Sequence, residues 1–199
     1  MRLFHSPGSC SIGIRVLLEH VQAPYELVTI ATARGDHRKP EYLALNPKGK
    51  VPAFELDDGN LLTEFPVIAQ WIARNFSAAR LLPGDQLGEL RALELLEYIV
   101  SSLHMRGAVF LLRPEKFSAE APAQEDLRQH GREVLTEGFP MLSKRLGDSE
   151  FFFDGFTIVD AAAFYLLNWK DRVGMVLPAK LEAYHQRLLK LPAVQHALA

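Results

Sequence analysis

The 199-residue chain holds a single cysteine, Cys10, inside the run Ser6-Pro7-Gly8-Ser9-Cys10-Ser11. A short apolar strand, Leu3-Phe4, precedes that run, and a helical pattern carrying Ile12, Ile14, Val16, Leu17 and Leu18 follows it. The thiol therefore falls at a helix start, where unpaired N–H groups and the positive end of the helix dipole favour an anion. A thiol so placed is expected to have a lowered pKa and to react as a thiolate. The plainer alternative is a small buried hydrophobe. Ser9 and Ser11 suit either helix capping or a hydrogen bond to a bound thiolate. With no second cysteine there is neither an internal disulfide nor a Cys-x-x-Cys redox pair, so Cys10 would act without a resolving thiol.

Three further sets of residues could do chemistry. Proline is poorly tolerated inside a strand, so Val51-Pro52 at the start of an apolar run stands out. An ordinary trans bond at a strand edge is the usual state of such a pair. A cis bond would leave the Val51 N–H and C=O open to an extended peptide. Glu64, in Thr63-Glu64-Phe65, puts a carboxylate at the start of another helix, where it could meet an ammonium group or simply favour the dipole. Glu94, Glu97, Ser101 and His104 recur at helical spacing, as a solvated face or a polar stripe lining a cleft. Thr157 and Asp160 read as a structural capping box. The seven histidines show no metal-ligand spacing, and no glycine pattern follows a strand as a phosphate loop would.

The elements that must position these residues change character along the chain. Residues 1–77 alternate short apolar runs with helical patterns, in the order βαβαββα. Asp57-Asp58-Gly59-Asn60, between Val51–Leu56 and a second apolar run, is a hairpin signal, so the four strands should form a mixed sheet. Residues 78–84 read as a linker, and 85–199 as an all-helical domain with helices near 86–112, 123–146, 157–170 and 178–190 and a short one after Pro192. The composition, 48% apolar and 23% charged, is that of an ordinary globular protein. A net charge of −2 offers no footprint for nucleic acid. No apolar core of a signal peptide and no long unbroken apolar run is present, so the expected location is the cytoplasm, away from membranes.

Taken together, five stretches resemble the soluble glutathione transferases, most closely the bacterial beta class. They are Ser6-Pro7-Gly8-Ser9-Cys10-Ser11, Asn46-Pro47-Lys48-Gly49-Lys50-Val51-Pro52-Ala53, Leu56-Asp57-Asp58-Gly59 with Leu62-Thr63-Glu64, Leu103-His104, and Phe156-Thr157-Ile158-Val159-Asp160. The resemblance implies a thioredoxin-like domain that holds glutathione as co-substrate, without a metal, and a helical domain for a small hydrophobic electrophile or mixed disulfide. It implies Cys10 and His104 as catalytic residues, a cis Pro52 with Val51 pairing to the tripeptide, and Glu64 with the N–H of Phe65 at the γ-glutamyl end. Ser101 and Ser102 match binding neighbours of the histidine, and a basic residue between Arg34 and Lys39, with Arg34 the first choice, would meet the glycyl carboxylate. It further implies a homodimer and a role in detoxification. Two positions depart from the pattern: Phe65 stands where many members have serine, and Glu97 where the beta class tends to have asparagine. A glutathione-dependent dehalogenase or isomerase, or a non-catalytic binding dimer on the same scaffold, are the competing readings.

Overall fold

The computed structural model describes residues 1–199, which fold as two compact units. The first comprises Met1–Leu81 together with Lys190–Ala199, and the second comprises Leu82–Leu189.

In the first unit, strands β1 (Arg2–His5), β2 (Glu26–Thr29), β3 (Ala53–Glu55) and β4 (Leu61–Thr63) form one sheet in the order β2-β1-β3-β4. β1 and β2 run parallel, whereas β3 is antiparallel to both β1 and β4. The mixed four-stranded sheet expected from the hairpin is therefore present, and Gly59, at φ 84°, supplies the positive φ its turn needs. Leu3 and Phe54 pair in register and face α1 (Ser11–His20) and α3 (Phe65–Asn75), with the Phe54 ring edge-on to Trp71. Phe4 and Ala53, next along the strands, point the other way towards α2 (Pro40–Leu45), where Phe4 meets Tyr42. This alternation is the two-residue period of a sheet buried on both faces.

The second unit is helical, as expected. Its first helix runs unbroken from Gln86 to Leu112, with α4 (Gln86–Glu97), a π-helical segment over Tyr98–Ala108 and a last turn, α5 (Val109–Leu112). By length and composition it is apolar enough to cross a membrane, a criterion that bundle helices also meet; its wholly apolar runs, such as Val109–Leu112, are short. α6 (Ala121–Leu146) begins two residues earlier than the sequence suggests, because Pro122 starts the helix instead of stopping it. α7 (Ile158–Leu167) is buried on all sides, and the capping box forms at its start. Asp160 Oδ2 accepts the Thr157 N–H and hydroxyl, each at 2.8 Å, while Oδ1 accepts the Tyr184 hydroxyl at 2.6 Å. The helix expected over 157–170 stops at Leu167; a separate turn, α8 (Lys170–Val173), ends at Gly174, which adopts φ 64°. α9 (Ala179–Leu188) completes this unit.

The domain limits drawn from sequence need two corrections. Leu81, placed in a linker over 78–84, is wholly buried in the first unit. The last helix, α10 (Pro192–Leu198), expected in the helical domain, packs on α1 instead. Its Ala193, Val194 and Ala197 are buried, and Arg15 on α1 donates to the His196 carbonyl at 3.1 Å.

Candidate functional site

Cys10, Val51 and Glu64 lie at the ends of α1, β3 and α3, and the loop Asn46–Lys50 fixes the middle one. Asn46 is buried; its side chain donates to the Lys50 carbonyl at 2.8 Å and accepts the Lys48 N–H at 3.2 Å. Tyr42 donates to the same carbonyl at 2.6 Å. Gly49 adopts φ 57°, and a Cβ there would stand 3.0 Å from the His37 carbonyl oxygen, so glycine is required twice over. This loop delivers Val51 to a cis bond with Pro52, the state implied by the family resemblance and not the trans state usual for such a pair. The Val51 N–H has no acceptor within the protein, and the Val51 carbonyl receives only the Cys10 thiol, at 3.9 Å. An extended backbone could take up both groups.

Cys10 occupies the N-cap of α1 and is half-buried. The expectation of a lowered thiol pKa is overturned: burial pushes the thiol up to about 12. The backbone N–H of Cys10 opposes that rise without cancelling it; nearby Glu64 adds to it and Lys50 works against it. At neutral pH Cys10 is a thiol.

The two flanking serines differ. Ser11 is wholly buried, and its hydroxyl is shared among His5 Nδ1 at 2.8 Å, Ser9 Oγ at 2.6 Å and the Ser6 N–H at 3.1 Å. The ligand contact expected of Ser11 therefore has no open side; its role is internal. Ser9 is half-buried and keeps a face outward; its Oγ also accepts the Ser11 N–H at 3.2 Å. The buried His5 beneath them was not singled out from sequence, although a histidine ending the apolar strand Leu3-Phe4 is the signal that could have found it.

Glu64 is the N-cap of α3 with φ 69°, a left-handed conformation that costs a non-glycine residue on the order of 1 kcal/mol. Its carboxylate is half-exposed and pairs with Lys48 Nζ at 2.8 Å, which also donates to Thr63 Oγ1 at 2.9 Å. Lys48 is a second residue that sequence reasoning passed over. Phe65, the first residue of α3, is buried, so its side chain belongs to the core. Arg34 is exposed; Asp36 holds it at 3.7 Å and Lys39 at 2.7 Å. A recess of about 480 Å³ in this unit, lined by Arg2, Phe4, Lys39 and Tyr42 among others, includes none of Cys10, Val51 or Glu64.

Ser101 and His104 belong to the helical unit. Ser101 is exposed and donates to the Glu97 carbonyl at 2.7 Å. His104 is half-buried, with Nδ1 3.2 Å from the Tyr165 hydroxyl and its ring edge-on to Tyr165 and Trp169. Of the residues at helical spacing, Glu94, Glu97 and Ser101 are exposed, as on a solvated face, whereas His104, reached through the wider π turn, leaves that face and packs among aromatic rings.

Comparison with known proteins places these features in a family. Residues 8–75 match the model of the glutathione S-transferase N-terminal domain. The whole chain aligns with glutathione S-transferase GstA of Escherichia coli O157:H7 at 34% identity, covering 98% of that protein. Among solved structures, the beta-class glutathione S-transferase of Sphingomonas chungbukensis superposes with a TM-score of 0.86 at 32% identity, over 100% of this chain and 97% of its own. A sphingomonad glutathione S-transferase complexed with glutathione gives 0.85 at 32% identity over the same shares.

Proposed function

Because the chain belongs to the glutathione S-transferase family, we propose that it binds glutathione along Val51 and presents the glutathione sulfur for attack on a small hydrophobic electrophile or a mixed disulfide. The observation that carries this reading is the open backbone of Val51, with an unaccepted N–H and a carbonyl touched only by a thiol. An extended peptide pairs with such groups as an added strand would. The Glu64 carboxylate takes the γ-glutamyl ammonium, sharing it with or releasing it from Lys48. Arg34 or Lys39 takes the glycyl carboxylate by charge-assisted hydrogen bonds. The N-terminus of α1 stabilises the sulfur anion through oriented N–H groups, an electrostatic contribution that strengthens as charge develops. Cys10, protonated at neutral pH, is then a weak donor beside that anion and not a nucleophile. His104 and Ser101 are assigned to the same reaction by the family resemblance.

The protein's working form is a cytoplasmic homodimer acting in detoxification. Exposed apolar side chains on α3 (Val67) and on α4 (Leu87, Leu90) support the dimer.

Calorimetric titration with glutathione, followed by turnover of a generic aromatic electrophile, tests the reading. Saturable binding that Glu64→Ala weakens about tenfold or more supports it; the loss of one charge-assisted contact has that size. Absence of binding to the wild-type protein overturns it.

A further inference from the structure

Below the mouth of α1 the structure holds a continuous line of hydrogen-bonding groups that the proposed function does not use. His5 is buried, with Nδ1 2.8 Å from Ser11 Oγ, and Ser11 Oγ is 2.6 Å from Ser9 Oγ, the outermost group of the line. We infer that His5, with its proton on Nδ1, sets the direction of this line so that the Ser9 hydroxyl proton points outward and donates to the sulfur anion of bound glutathione. The inference rests on the glutathione reading and adds a positioning residue to it.

Counting lone pairs gives the direction. A hydroxyl has one proton to give and two lone pairs to fill. Ser11 Oγ accepts the Ser6 N–H at 3.1 Å; if His5 Nδ1 also donates to it, both of its lone pairs are filled. The Ser11 proton then goes to Ser9 Oγ at 2.6 Å in preference to the Ser6 carbonyl, a far weaker acceptor at 3.5 Å, and Ser9 Oγ already accepts the Ser11 N–H at 3.2 Å. Ser9 is now full as an acceptor, and its own proton has only the outward direction left. With the proton on Nε2 instead, Ser11 donates to His5, Ser9 donates inward to Ser11, and a bare lone pair faces outward. That second arrangement repels an anion, so an anion at the mouth of α1 selects the first. The thiol proton of glutathione leaves to solvent; no bond to the protein forms or breaks, and the line only turns.

Burial also keeps this device neutral. Desolvation, helped by the nearby Arg15 charge, holds the His5 pKa at about 4, so at neutral pH the imidazole carries one proton and its tautomer decides the direction. Cys10, a neutral thiol already directed at the Val51 carbonyl, leaves the stronger donor role to Ser9.

The test reads the ionisation of bound glutathione by ultraviolet absorbance of its thiolate against pH, for the wild type, Ser9→Ala, His5→Leu and His5→Asn. Removing Ser9 should raise the bound-thiol pKa by about one unit, the size of one lost hydrogen bond to a charged group. His5→Leu should raise it in the same direction while glutathione still binds, and His5→Asn, whose amide can donate to Ser11, should restore most of the shift. Nitrogen-15 NMR of the wild-type complex should show His5 protonated on Nδ1, a readout that holds even if His5→Leu fails to fold. An unchanged thiol pKa in Ser9→Ala that still binds glutathione, or an Nε2 proton on His5 in the complex, overturns this inference alone. Failure of the wild type to bind glutathione overturns the transferase reading and this inference with it.

Discussion

A thiol at a helix start is pulled two ways, by N–H groups that favour its anion and by lost water that disfavours it. In Cys10 the second prevails. Alkylation of Cys10 by iodoacetamide, followed by mass spectrometry, should therefore stay slow from about pH 7 to about pH 9 and accelerate only in stronger alkali. Fast labelling at neutral pH would contradict the burial described for it. The sequence made the position of Cys10 legible, but not the balance of forces, because burial comes from packing by segments distant in the chain such as Val51. His5 shows the same limit. Its pKa lies near 4 when folded, against an ordinary value of 6.5. Between those values the unfolded chain binds a proton that the native state refuses, so stability falls as pH drops through the window and is fully present above it. The loss attributable to His5 is on the order of 3 kcal/mol. Burial lowers His20 and His185 in the same direction, so the check is a comparison. Urea midpoints at about pH 7 and about pH 4.5 should move less in His5→Asn than in the wild type.

At the scale of elements, the alternating apolar runs, the Asp-Gly turn and the capping box were each readable because they depend on neighbours within a few residues. The π-helical turn carrying His104 was not. It lies where the helix packs closely on α6, a tertiary contact that glycines permit. A Cβ on Gly131 of α6 would stand 2.6 Å from the Gly107 carbonyl oxygen and 3.1 Å from the Phe110 Cβ. Since the first of these is backbone, Gly131→Ala should cost at least 1–3 kcal/mol, the usual order for overpacking, and lower the melting temperature accordingly. Thr157→Ala should cost about 1 kcal/mol, as an N-cap loss does. Asp160→Ala should cost several times more, on the order of 3 kcal/mol, since it strips partners from Thr157 and the buried Tyr184 hydroxyl together. Equal losses from the two substitutions, measured by urea denaturation, would mean that Asp160 does no more than cap.

For the whole molecule, composition announced two units, and only the structure showed where the last ten residues belong. A helix of seven residues after a proline carries no sequence mark of its partner; the small side chains Ala193, Val194 and Ala197 fit α1 by shape. Truncation after Leu189 should therefore damage the first unit selectively, with amide exchange accelerating in α1 and glutathione affinity falling, while α7 stays protected. Protection lost evenly across both units would refute that localisation. The return of the chain also has a consequence during synthesis. The thioredoxin-like sheet leaves the ribosome before the helical stretch, yet the side of α1 that receives α10 stays bare until residues 192–198 have been made. The sheet is thus sealed only after the helical stretch that follows it, and a ribosome that stalls within that stretch leaves the α1 face open to whatever chaperone or neighbour meets it.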